Sequence, residues 1–178
     1  MQNIFQANIQ DSTLDDITSE ERNRGRRRLR LATLLAVAAL VIAAVLGAFD
    51  QKKTTGQRAG NLDIQVEYPS VIRAGNEIQL RVALNSPEPL PETVKLTLNE
   101  DYLMLFEDFS VFPEPESEAA RGDGTVEFEV APASGAGQMV AIFHGRASDQ
   151  WAPKSEGALG LTADGTQARI DIETWRIP

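Results

Sequence analysis

The sequence predicts a mainly β protein, with one N-terminal transmembrane α-helix followed by an antiparallel β-sandwich of 7–8 strands. Three observations predict it. Residues 31–49, LATLLAVAALVIAAVLGAF, carry no charge. Six arginines crowd the nine residues before them: Arg22, Arg24, Arg26, Arg27, Arg28 and Arg30. From Leu62 onward apolar side chains recur at every second position, as they do along a strand with one buried face.

The uncharged run is long enough to span. Nineteen residues at ~1.5 Å rise give about 28 Å, close to the ~30 Å hydrocarbon thickness of a bilayer. Ten strongly apolar positions contribute at most roughly −3 to −6 kcal/mol to insertion, and the alanines add little. One central Arg would cost about 2.5 to 3.5 kcal/mol and remove most of that margin. A cleaved signal peptide has an apolar core of about 7–15 residues and a short leading region; here the core is longer and thirty residues precede it. An interfacial helix would show a polar face, which this stretch lacks.

Orientation follows from the flanks. The six arginines outweigh Lys52, Lys53 and Arg58 on the far side, which places the N-terminus in the cytoplasm and the rest outside. Ala39, Ala43 and Gly47 recur every fourth position, with Ala32 and Ala36 on a similar ridge. Such a face admits a second helix at close range, although an alanine-rich composition alone also produces it.

The domain organisation reads as a cytoplasmic tail over residues 1–30, the span, a linker over 50–61 and an extracytoplasmic β-sandwich over 62–178. The tail is polar, with Ile4, Phe5, Ile9, Leu14 and Ile17 out of helical period. The linker DQKKTTGQRAGN contains no apolar run.

Strands are expected at Leu62–Tyr68, Glu77–Leu84, Thr93–Leu98 and Phe109–Val111. Four more follow at Thr125–Val130, Met139–Phe143, Leu159–Leu161 and Arg169–Trp175. Met139–Phe143 is apolar on both faces and belongs in the middle of a sheet. Asp164-Gly165 is a strong hairpin signal. The segment from Pro113 to Gly124 reads as an acidic loop, and Tyr102–Phe106 as a short helical turn or crossing between sheets. Short strands with turn signals every ten residues or so point to a sandwich of immunoglobulin-like type, with a small barrel as the alternative.

Charge is split unevenly. Residues 1–30 hold six Arg and five acids, and the remainder holds eleven basic and twenty-one acidic residues, so +1 and −10 make up the net −9. An acidic outer domain without a basic patch is not expected to bind nucleic acid. The chain has no cysteine, which fits a bacterial envelope protein better than a secreted eukaryotic sandwich. The stretch Val66–Gly75, together with Tyr102–Phe106 and Pro113-Glu114-Pro115, resembles uncharacterised bacterial single-pass membrane proteins with an extracytoplasmic Ig-like domain. The resemblance implies an architecture and carries no catalytic motif.

The chemistry-bearing residues are sparse. One histidine, His144, is too few for the usual zinc or copper site, and no nucleophile-elbow pattern accompanies it. Glu114, Glu116 and Glu118 read as a solvated acidic loop, and Arg121-Gly122-Asp123-Gly124 as a turn. No cofactor or metal site is expected. Tyr102, Leu103, Met104, Leu105 and Phe106 are unusually apolar for a loop and either plug the sandwich or expose a contact patch. Trp151 is a second candidate interface residue. These features favour a non-enzymatic, membrane-anchored accessory subunit with the lipid bilayer and an integral-membrane protein as partners. An envelope sensor or adhesion module binding cell-wall polymer or a small ligand is the alternative.

Overall fold

The structure, a computed structural model, describes residues 20–45, 51–150 and 152–177, without the side chains of 20–24, 43 and 44. The chain divides into two units, Met1–Leu46 and Gly47–Pro178. The described part of the first is one helix, α1 (Glu20–Val45). Its first eleven residues carry eight charges. Its uncharged run begins at Leu31 and is described for fifteen residues, about 22 Å of helix. Residues 46–49 of the expected span lie outside the described residues. Among the described residues no helix is long and apolar enough to cross a membrane.

The second unit is mainly β, built from two sheets. Its elements are β1 (Lys52–Ala59), β2 (Leu62–Pro69), β3 (Val71–Arg73), β4 (Glu77–Asn85), β5 (Val94–Asn99), α2 (Glu100–Leu103), β6 (Phe106–Phe112), β7 (Ser117–Arg121), β8 (Thr125–Val130), β9 (Gln138–Ala147), β10 (Lys154–Ala163) and β11 (Thr166–Ile177). One sheet has the order β1-β2-β4-β9-β6 and the other β3-β11-β10-β5-β8-β7. All pairings are antiparallel except β3 with β11, where Val71 faces Trp175. The chain passes from one sheet to the other at Ser70, whose carbonyl accepts the Trp175 N–H at 2.9 Å.

Each of the eight expected strands is present, and the alternation that marks them is the burial pattern. Ile64 and Val66 on β2, Leu80 and Val82 on β4, Leu96 and Leu98 on β5, and Ala141 and Phe143 on β9 are fully buried. Removing such side chains from water is the main source of stability, at roughly 1.5–3 kcal/mol for each large one. The core also joins the sheets through rings. Phe128 on β8 and Phe143 on β9 meet edge to face with centroids 5.3 Å apart.

The strand count differs from expectation: among the described residues there are eleven strands rather than seven or eight. The stretch expected as a linker holds β1, paired with β2 along its whole length from Lys52↔Pro69 to Ala59↔Leu62. The stretch expected as an acidic loop holds β7. Both are edge strands that bury almost nothing, so neither shows apolar alternation. The β1–β2 turn is Gly60-Asn61, with φ 58° at Gly60, a two-residue hairpin connection that only positive φ permits. At Asp164-Gly165 both residues have positive φ, 46° and 74°, as a type I′ turn between β10 and β11 requires.

Edge strand β6 is broken by a bulge between Glu107 and Ser110, with Asp108 at φ 52°. The bulge presses the chain against β9. A Cβ added at Gly145 would lie 2.7 Å from the Glu107 carbonyl oxygen, a backbone atom that cannot move without opening the bulge. Gly145→Ala is therefore expected to lower stability by about 1–3 kcal/mol. Denaturant unfolding of the full chain checks this, and an unchanged midpoint contradicts it.

Candidate functional site

Residues 102–106 form the crossing between the sheets. Asn99 ends β5 in an extended conformation, and Glu100–Leu103 make the single turn α2. Tyr102 and Leu105 are fully buried, Phe106 is 7% exposed, and Met104 turns outward at 55%. Tyr102, Leu105 and Phe106 thus face the core, Leu103 packs partly against it and Met104 is on the surface.

The crossing is held by a buried polar chain. The Thr174 hydroxyl donates to the Pro69 carbonyl at 2.6 Å, so the Tyr102 hydroxyl, 2.9 Å from Thr174 Oγ1, donates to it. Burial pushes the Tyr102 phenol well above its usual range. Three elements that are remote in sequence, β2, α2 and β11, are thus tied at one point. The Tyr102 ring leans on β10 at Gly157, where an added Cβ would approach the tyrosine Cβ to 2.6 Å. From Tyr102 a run of rings continues inward through Phe106 at 6.2 Å and Phe109 at 5.9 Å.

The charged groups are largely paired on the surface. On the outer side of the six-stranded sheet, Lys95 lies 3.3 Å from Glu127 and 2.6 Å from Glu129. Arg121 closes on Glu127, and the Ser117 hydroxyl donates to Glu129 at 2.9 Å. The hydrogen bond from Lys95 holds the Glu129 carboxyl below its usual range, and the same bond raises Lys95. Around the end of β11, Lys154 bridges Glu156 and Glu173 at 2.5 and 3.0 Å and sits 5.4 Å from the Trp175 ring centroid. The Trp175 indole N–H donates to Glu173 at 2.7 Å.

The other sequence candidates are separated. Arg121-Gly122-Asp123-Gly124 is the β7–β8 turn, with Asp123 accepting from the Thr125 backbone and hydroxyl at 3.1 and 2.6 Å. Glu114, Glu116 and Glu118 are exposed, and the Glu116 N–H donates to the Glu129 carbonyl at 2.8 Å. His144 is exposed on β9, flanked in register by Gln79 and Ser110. Among the described residues no group of three or more His, Cys, Asp or Glu is placed to hold a metal ion.

Arg26, Arg27, Arg28, Arg30 and Ala39 are exposed on α1. The side chains of Arg22, Arg24 and Ala43, and the residues Gly47 and Trp151, lie outside what is described. One apolar patch lay hidden from the sequence because its members come from three strands. Arg81, Ile142 and Phe112 stand in one cross-strand row, with Ala83 and Val140 in the next. Phe112 is 71% exposed.

Two outcomes follow. Tyr102→Phe removes one buried hydrogen bond and is expected to cost about 1 kcal/mol. Thr174→Val strands both the Tyr102 hydroxyl and the Pro69 carbonyl and is expected to cost more, about 2–4 kcal/mol. Equal unfolding midpoints for the two variants would contradict the buried chain. The ion pairs set the pH profile. Glu129 and Glu173 have lowered folded values, so their contribution is present above the ordinary carboxylate value of 4.5 and fades as pH falls through the folded values. Lys95 and Lys154 are raised, so theirs is present below 10.5 and fades as pH rises beyond it. The unfolding temperature should be flat between about pH 5 and 10 and fall on both sides. Lys95→Met should flatten the acid limb.

No family model matches the chain, and no curated protein does. Among solved structures it is similar to BslA, a bacterial hydrophobin, at 11% identity over 71% of this chain and 98% of that one, with a TM-score of 0.37. It is also similar to the GAE domain of GGA2p from Saccharomyces cerevisiae, at 14% identity over 72% and 98%, with a TM-score of 0.30.

Proposed function

We propose that the chain is a non-enzymatic accessory subunit of a bacterial membrane complex, anchored by one helix with its N-terminus in the cytoplasm and presenting an Ig-like domain outside. The observation that carries this reading is the surface of α1. Leu31, Leu34, Leu35, Val37, Leu40, Val41, Ile42 and Val45 are each 53–81% exposed. At 100° per residue these large side chains cover most of the circumference, and Ala32, Ala36 and Ala39 occupy the remaining arc. A helix that is apolar all round belongs in a core or in lipid. The Thr33 hydroxyl donates to the Leu29 carbonyl at 3.0 Å, which satisfies the polar side chain within the helix itself. Arg26, Arg27, Arg28 and Arg30 end the apolar surface where headgroups would begin.

Support for the Ig-like reading is topological. An immunoglobulin constant-type sandwich sets strands ABED against CFG. Here β2-β4-β9-β6 and β5-β10-β11 have those orders, and A to G in chain order are β2, β4, β5, β6, β9, β10 and β11. The hairpin β7–β8 is then an insertion between D and E, and β1 an addition beside A. The alanine arc of α1 is the side on which an integral-membrane partner would pack.

The test is membrane topology. The full chain, expressed in a bacterium with a C-terminal reporter active only outside the cytoplasm, should stay in the carbonate-washed membrane fraction and give signal. Leu40→Arg should shift much of it out of the membrane, because about 3 kcal/mol is lost from a small margin. Recovery of the unaltered chain in the aqueous fraction, or a reporter active only in the cytosol, would overturn the anchor. Co-purification in mild detergent with no associated membrane protein would overturn the accessory role.

A further inference from the structure

We propose that the outer face of the five-stranded sheet is a self-association surface, on which a second copy of this chain packs. The row that carries it runs Thr54–Glu67–Arg81–Ile142–Phe112 across β1, β2, β4, β9 and β6. Its neighbours along the strands, Leu80, Val82, Ala141 and Phe143, are buried in the core, so period-two alternation turns the row outward. Beside it Ala83 and Val140 pair in register and are only partly covered. The result is an apolar strip of Phe112, Ile142, Val140 and Ala83.

The row is complementary to itself. Ile142 sits between Arg81 on one side and Phe112 on the other. A two-fold axis parallel to β9 and above Ile142 lays Ile142 against its own copy. The same operation carries Phe112 over Arg81 of the second copy and Arg81 under its Phe112. Each copy therefore gives one aromatic ring and receives one guanidinium, the reciprocal pattern of an isologous contact. Among the described residues Arg81 makes no ion pair. Exposed Glu114 follows Phe112 by two residues, so the same operation carries a carboxylate-bearing segment toward Arg81, against the mutual repulsion of two domains that are each acidic overall.

The size of the face sets the strength. Five strands about 4.8 Å apart and about seven residues long present roughly 450 Å² per copy. That is well below the ~800 Å² per partner of a standard interface. The dimer is a weak one, and proximity trapping reads it better than chromatography does.

The chain has no cysteine, so a single introduced thiol reports a single contact. Ile142→Cys in the full chain in nanodiscs should form a disulfide-linked dimer under mild oxidant at least tenfold faster than Ala119→Cys. Ala119 is exposed on β7, in register with Glu127 on the other sheet's outer face. Adding Phe112→Ser to Ile142→Cys should slow dimer formation at least fivefold, with the far-ultraviolet spectrum and unfolding midpoint unchanged. Equal rates for the two thiols, or an Ile142→Cys rate indifferent to Phe112→Ser, would overturn the surface. The nanodisc format rests on the proposed membrane anchor, and any contribution of the helix to association is common to all three variants, so the differences between their rates report the sheet face alone.

Discussion

The edge-to-face contact of Phe128 and Phe143 is the point at which the two sheets become one body. One ring stands on β8 of the six-stranded sheet and the other on β9 of the five-stranded sheet. Phe109 on β6 closes against both, at 5.8 and 6.0 Å. The chain has no disulfide to bind its layers, so complementary burial is what holds them. The ring cluster lies beside the hairpin β7–β8, and β8 contributes one of its members. The hairpin is therefore part of the core on its inner side and a charged surface on its outer side, where Glu127 lies between Lys95 and Arg121.

The second dependency is the polar chain from Tyr102 through Thr174 to Pro69. Hydrophobic packing is non-directional and tolerates sliding, whereas a buried hydroxyl with one partner does not. The chain fixes where α2 meets β11 and where β2 hands over to β3. Gly157 is the corresponding concession on β10, because any side chain there would occupy the tyrosine's place.

What could be read from the residues and what could not divide along burial. Strands with one buried face advertise themselves: Ile64 and Val66, or Leu96 and Leu98, record the core in their spacing. Strand β1 records nothing, because Lys52 to Arg58 face solvent or the edge and their pairing with β2 rests on backbone hydrogen bonds. The Gly60-Asn61 turn was the one local sign of that hairpin. The crossing at 102–106 was legible as too apolar for a loop, yet the partner of its buried hydroxyl, Thr174, stands seventy-two positions away, where no local pattern points to it. The strip formed by Phe112, Ile142 and Val140 could not be read at all, since no stretch of sequence contains it.

The same structure explains why a face rather than an edge is the surface to consider. Open edges invite strand addition, and proteins obstruct them with charge, bulges or brevity. Here β1 carries Lys52, Lys53 and Arg58, β3 is three residues long, β6 is interrupted at Glu107–Ser110, and β7 carries Glu118 and Arg121. All four edges are obstructed by one of these means. The outer face of the six-stranded sheet is likewise occupied by its own ion pairs. Among the described residues the outer face of the five-stranded sheet also carries ion pairs, Lys52–Glu67 at 3.0 Å and Arg146–Asp108 at 3.1 Å, but it differs in that one row ends in a large ring exposed to water, Phe112, two strands from Arg81. Phe112 is 71% exposed, and it shares its row and the next with Ile142, Val140 and Ala83, so it belongs to a contiguous apolar strip rather than standing alone, which is the kind of surface that marks a contact.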